Sequence, residues 1–138
     1  MEAPAQYSLK YEGDLRTSMT HNRSGQTVIT DAPLDNNGKG ESFSPTDLVS
    51  AALASCVMTI LGIKARDMGY EKVEMEAQVW KSMASNPRRI GKITVALRVQ
   101  IEGATDQQKV ILERTTRACP VARSLSSGTE KEVTFLWA

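Results

Sequence analysis

The feature that most constrains this chain is a run of small and apolar residues, Leu48 to Ile63, within the stretch SPTDLVSAALASCVMTILGIKARDMGY. The run is apolar on every side of a helix, which predicts burial on all faces rather than along one stripe. Its 16 residues include three hydroxyl side chains, and a bilayer is crossed by about 20 apolar residues. We therefore expect a buried core helix that does not span a membrane.

Both ends of this helix carry recognisable signals. Ser44 suits the N-cap and Pro45 the first helical position, and Asp47 can close a capping box with Ser44. A glycine at position 69 favours the left-handed conformation that ends helices. The sequence therefore predicts a helix from Pro45 to about Met68.

The rest of the chain predicts a mixed α+β domain. Strand-like segments separated by turn residues indicate an N-terminal β-meander within residues 6–30. Strict alternation of apolar and polar residues predicts a long antiparallel hairpin that turns near Asn86-Pro87. The remaining predicted elements are a helix from Thr105 to about Ala118, a short helix led by Pro120 over 121–126, and an edge strand at 132–138.

Length and composition limit the class of protein. At 138 residues, with a formal net charge of +1 and 24% charged residues, the chain predicts one soluble domain, 1–138, with no nucleic-acid partner. The N-terminus has no signal-peptide pattern, so we expect a cytoplasmic protein. With His21 as the single histidine and no CxxC pair, neither a metal site nor a bound cofactor is expected.

The two cysteines carry the candidate chemistry. Cys56 lies within the apolar run, and alone it is more typical of a small core residue. Cys119 directly precedes Pro120 at a predicted helix start, where free N–H groups and the helix dipole favour a thiolate. If the two main helices pack together, the thiols can meet and support a cycle of oxidation and disulfide formation. An arginine or lysine would have to lower the pKa of the attacking thiol.

Three segments resemble one known family. SFSPTDLVSAALASC followed by ILGIKARDMG, and later CPVARSL, are similar to the OsmC/Ohr family of thiol-dependent peroxidases and OsmC-like redox proteins. The resemblance extends over nearly the whole chain. It implies an OsmC-like α+β fold in which curved antiparallel sheets wrap two central helices of an intertwined homodimer, with active sites at the subunit interface.

The resemblance also assigns roles to residues. It implies that Cys56 is the peroxidatic cysteine, that Cys119 is the resolving cysteine, and that Arg16 stabilises the thiolate, with Arg23 as the alternative. The family has a glutamate, paired with this arginine, ten residues before the peroxidatic cysteine, where this chain has Thr46. Asp47 follows it, but one helical step turns a side chain by about 100°. Asp47 is therefore more typical of a helix cap, and the threonine lowers the expected peroxide turnover.

Three functions fit this sequence. The first is reduction of an organic hydroperoxide, an antioxidant role in the oxidative stress response, with a Cys56–Cys119 disulfide restored by a small or lipoyl-type dithiol. The second is a ligand-binding or redox-sensing protein with little peroxidase activity, because Thr46 replaces the family glutamate. The third is a structural dimer with two inert core cysteines.

Overall fold

The computed structural model of this chain describes residues 3–138 and has a mixed α+β architecture. It divides into two compact units, one ending at Leu48 and the other beginning at Val49. Each unit contains a three-stranded sheet. The predicted α+β class is confirmed, and each unit is described separately below.

The first unit is built on the predicted meander. Strands β1 (Tyr7–Gly13), β2 (Arg16–His21) and β3 (Thr27–Asp31) pair antiparallel in the order β1-β2-β3. A tight turn with positive φ at Gly13, Asp14 and Leu15 joins the first two strands. The register of β2 and β3 places Arg16 directly opposite Asp31.

Helix α1 (Pro45–Asp67) begins at the end of the first unit with the predicted capping box. The Ser44 N–H donates to Asp47 Oδ2 at 2.9 Å, and the Asp47 N–H donates to Ser44 Oγ at 3.1 Å. These reciprocal bonds satisfy amide groups that a helix start leaves without intrahelical partners. A short 3₁₀ turn, Leu34–Asn36, lies in the loop before α1.

The second unit holds the long hairpin and the remaining helices. After α1 come β4 (Glu74–Ala84), β5 (Arg89–Gln100), α2 (Asp106–Thr115), a 3₁₀ turn (Thr116–Ala118), α3 (Pro120–Ser124) and β6 (Glu130–Trp137). The sheet order is β4-β5-β6, so the last strand lies at an edge as predicted. β4 and β5 are antiparallel, whereas β6 runs parallel to β5, because the intervening helices return the chain to the same end of the sheet.

The core of the second unit lies between α1, α2 and the inner face of this sheet. The alternation predicted for the hairpin is confirmed, because every second residue from Ile93 to Ile101, just after the end of β5, is buried. The buried apolar set is Leu53, Ala54, Val57, Leu61, Ala65, Ile93, Val95, Leu97, Val99, Ile101, Leu112 and Cys119.

The prediction that α1 is buried on all faces is wrong for the single chain. The buried residues of α1 form one stripe: Ser50, Leu53, Ala54, Val57, Leu61 and Ala65. On other sides, Val49 is 36% exposed and Ile63 is 52% exposed. One sheet and one helix cover only the side of α1 that they touch, so the opposite apolar side stays open. Among residues 3–138, α1 alone is long and apolar enough to cross a membrane, a criterion that core helices of soluble proteins also meet.

Candidate functional site

The structure brings the two cysteines together in the second unit. Cys56 is half-buried on α1, and Cys119 is fully buried at the N-cap of α3. Both sulfurs are free thiols, and the two side chains share a hydrogen bond. The prediction that Cys56 and Cys119, 63 positions apart in sequence, lie in contact is therefore confirmed. It arises because α1 and the segment after α2 contribute to the same core.

The predicted thiolate character of Cys119 is not what the structure shows. Its Sγ accepts a hydrogen bond from the Ala122 N–H at 3.4 Å, as expected for an N-cap position. Burial is a larger effect and raises the pKa of the Cys119 thiol, and the hydrogen bond to Cys56 raises it further. The backbone N–H groups only partly offset this increase. Cys119 is therefore a protonated thiol at neutral pH, and Cys56 is the more accessible of the two thiols.

Arg16 is held by a carboxylate in the first unit. Its Nε donates to Asp31 Oδ1 at 2.6 Å and its Nη2 donates to Asp31 Oδ2 at 2.8 Å. Asp31 is 1% exposed, and Glu41 Oε1 lies 3.9 Å from Arg16 Nη2. The paired hydrogen bonds raise the pKa of Arg16 and lower the pKa of Asp31, so both groups are charged at neutral pH.

The two supporting residues from the sequence lie at the start of α1. Thr46 is half-buried, and its Oγ1 is 3.2 Å from Ser44 Oγ, within hydrogen-bond distance. Asp47 closes the capping box, which confirms its predicted structural role. Arg23, the alternative to Arg16, is exposed in the turn between β2 and β3.

Asp31 is the residue of this set that sequence reasoning missed. A signal for it was present, because the segment QTVITDA ends in an acid at a predicted strand end. Counting residue pairs outward from the turn at 22–25 would have placed Asp31 opposite Arg16. Cross-strand neighbours of opposite charge are a common stabilising pair in antiparallel sheets.

A cleft of about 610 Å³ lies within the second unit, and neither cysteine is among the residues that line it. Its apolar lining includes Leu53 and Val57 on α1, and it also contains Ala122, whose amide contacts Cys119. Its remaining lining residues are Val110, Glu113, Arg114, Thr116, Arg117, Lys131, Val133 and Phe135. The lining therefore combines apolar side chains with basic ones and the acidic Glu113, a combination that can take an organic molecule. Within the described part of the chain, no group of three or more His, Cys, Asp or Glu side chains is placed to hold a metal ion.

Comparison with known protein families gave a match. Residues 38–134 match the family of OsmC-like proteins. The matched segment contains Thr46, Asp47, Cys56 and Cys119 and begins after Arg16. No curated protein matched the chain.

Several solved structures are similar over almost the full length. A Psychrobacter arcticus 273-4 protein, described as an osmotic stress induced and detoxification response protein, is 42% identical, with 99% of this chain and 98% of that chain covered and a TM-score of 0.89. An organic hydroperoxide resistance protein OsmC from Legionella pneumophila is 20% identical, with 97% and 98% covered and a TM-score of 0.67. Bacillus subtilis OhrB, another organic hydroperoxide resistance protein, is 18% identical, with 94% and 97% covered and a TM-score of 0.61. The last two establish likeness of fold.

Proposed function

The chain belongs to the family of OsmC-like proteins, and from this premise we propose that it reduces organic hydroperoxides with its two cysteines. The observation that carries the proposal is the hydrogen-bonded pair of free thiols, one half-buried and one buried. Organic hydroperoxide resistance proteins have the same fold, which supports this substrate class. The chain would then act as a peroxidase in defence against oxidative stress.

The proposed catalytic cycle has three steps. The Cys56 thiolate attacks the terminal oxygen of the hydroperoxide, the O–O bond breaks, and the alkoxide takes a proton and leaves as an alcohol. Cys119 then attacks the Cys56 sulfenic acid, which forms the disulfide and releases water. A small or lipoyl-type dithiol reduces the disulfide and leaves as its own disulfide. Arg16 is proposed to stabilise the Cys56 thiolate, as the family resemblance implies.

The cleft supports an organic rather than an inorganic peroxide. Two of its lining residues, Leu53 and Val57, are on the same helix as Cys56 and within one turn of it, and a third, Ala122, donates its N–H to Cys119 Sγ. An alkyl or aryl group in the cleft would remove apolar surface from water, at about 25 cal/mol for each Å² buried. Hydrogen peroxide has no such group and gains nothing from the apolar lining.

The assembly and compartment are also part of the proposal. The open apolar side of α1, with Ile63 52% exposed, supports a homodimer in which a second copy covers this helix. The family match crosses the boundary between the two units, which supports their function as one domain. We place the protein in the cytoplasm, where dithiol reductants keep thiols reduced.

A ligand-binding or redox-sensing protein is the second candidate, and Thr46 is the observation that favours it. A hydroxyl there can give one neutral hydrogen bond, whereas the family carboxylate can pair bidentately with an arginine. Such a protein would bind an organic ligand without oxidation of its thiols. Its signature would be an increase in Tm with the ligand and no loss of free thiols.

Thiol counting tests the peroxidase. Wild-type protein treated with one equivalent of cumene hydroperoxide should lose both free thiols and release one equivalent of cumyl alcohol. Cys119→Ser should stop at a Cys56 sulfenic acid, detectable by a sulfenic-acid probe and mass spectrometry. Exposed Ser55→Ala on α1 is the matched control and should behave as wild type. Unchanged thiols at a modest excess of oxidant, or a Cys119→Ser variant that forms no sulfenic acid on Cys56, would contradict the proposal.

A further inference from the structure

The cleft of the second unit leaves some of its apolar side chains only partly covered. Leu53 and Val57 of α1, which line it, are buried. Val133 and Phe135 of β6 also line it and are only half-buried. The alternation of β6 places Lys131 on the same face of the strand as these two residues. At about 610 Å³ the cleft has the size of a small-molecule site, so the apolar part of a ligand has room to cover this face.

Three cations also line the cleft. Arg114 lies on α2, Arg117 in the 3₁₀ turn that follows, and Lys131 on β6. Among residues 3–138, none of these three side chains has a carboxylate within ion-pair distance. Glu113, the one acid in the lining, is four residues before Arg117 in sequence and is not paired with it. Three cations and one carboxylate give the lining a formal net charge of +2.

The alternation of β6 explains why Lys131 has no acidic partner. The two glutamates that flank it in sequence lie on the opposite face of the strand, where Glu132 Oε2 is 2.9 Å from Lys92 Nζ. Lys131 Nζ donates instead to Thr129 O at 3.0 Å and to Ser126 O at 3.4 Å. These bonds hold the ammonium in place without neutralising it. An ammonium has three N–H donors, so one of them remains for a ligand.

The formal charge of the lining matches that of a phosphate monoester. A guanidinium presents paired N–H donors that fit two oxygens of a phosphate or a carboxylate. A phosphate monoester carries a charge of about −1.5 to −2 at pH 7, which balances the +2 of the lining. A carboxylate carries a single charge and would leave part of the lining unbalanced.

We propose that the cleft is a binding site for an organic phosphate monoester. Its apolar chain lies on the half-buried side chains of β6, and its phosphate accepts hydrogen bonds from the three cations. This site goes beyond the proposed peroxidase, because binding involves no reaction of a thiol and neither cysteine lines the cleft. A protein without peroxidase activity would bind the same ligand.

Isothermal titration calorimetry of the full chain with octyl phosphate, octanoate, octanol and inorganic phosphate tests both parts of the site. Octyl phosphate should bind roughly tenfold more tightly than octanoate, because its additional charge adds a weak attraction to each exposed cation. Octanol, which has the chain without the charge, should bind more weakly than either. Inorganic phosphate should bind more weakly than octyl phosphate, since it has no apolar chain to remove from water.

Substitutions of exposed arginines locate the ligand in the cleft. Arg114→Gln and Arg117→Gln should each raise the Kd for octyl phosphate roughly fivefold, and unchanged Tm values would show that both variants are folded. Arg123→Gln is the matched control, because it removes an exposed arginine of α3 that does not line the cleft, and its Kd should equal that of wild type. Wild-type affinity in both cleft variants would overturn the site. Octanoate or octanol that binds as tightly as octyl phosphate would overturn the phosphate, as would the absence of binding at millimolar ligand.

Discussion

The two cysteines have the same side chain and different surroundings. Cys119 has no exposed surface and a raised pKa, whereas Cys56 is half-buried on the long helix. A protonated, buried thiol cannot attack an oxidant in solution, but it can react with a sulfenic acid formed beside it. The difference in burial therefore supports the proposed division of roles, whereas the N-cap position of Cys119 alone would have favoured the reverse.

The raised pKa of Cys119 predicts how stability depends on pH. In the unfolded chain this thiol ionises near pH 8.5, and in the folded protein it stays protonated to higher pH. The folded state therefore binds more protons between these two pKa values, and stability falls as pH rises through that window. Denaturation measured from about pH 7.5 to 9.5 should show this decline in wild type.

Two variants provide the comparison for this pH dependence. Cys119→Ala should show a weaker decline, because the buried titrating thiol is gone. Cys56→Ala should retain most of the decline, since burial is the main cause of the Cys119 shift and the bond to Cys56 is a lesser one. Identical pH profiles for wild type and Cys119→Ala would contradict the assignment.

At the scale of elements, α1 shows how local signals define a helix. Its capping box, its proline at the first position and the positive φ of Gly69 after its end were all readable from the sequence. Its start also carries Thr46, whose hydroxyl lies within hydrogen-bond distance of Ser44 Oγ. Thr46 and Asp47, which the family resemblance associates with the active site, therefore both interact with the cap residue Ser44.

Removal of this cap has a predictable cost. Ser44→Ala deletes the oxygen that accepts the Asp47 N–H and should lower the free energy of unfolding by about 1 kcal/mol. Urea denaturation followed by circular dichroism would measure the change. Ser55→Ala, on an exposed site within the same helix, should cost nothing or stabilise slightly. Equal effects of the two substitutions would show that the cap does not contribute.

At the scale of the whole molecule, the main feature is the exposed apolar side of α1, which a second copy of the chain could cover. An apolar helix covered on one side leaves Val49 and Ile63 in water. A homodimer that buries this side would recover the burial that the composition of the helix predicts.

Ile63→Glu tests this assembly. A charge placed in an apolar interface would lose hydration without a partner, so the variant should dissociate to monomers at concentrations where wild type is dimeric. Sedimentation velocity over a dilution series would measure the change. Leu34→Glu, at a 77% exposed site in the other unit, is the control and should stay dimeric. Monomeric wild-type protein would contradict the dimer outright.

The sequence by itself determined the elements of this protein, because caps, turn residues and alternation act over a few neighbouring residues. It also pointed to Cys56, Cys119 and Arg16 through segments that resemble one family. Only the tertiary structure showed that Cys119 is a high-pKa thiol, that Asp31 pairs with Arg16, and that one side of α1 is open. Burial, strand register and the coverage of a helix depend on residues distant in sequence, so no local pattern records them.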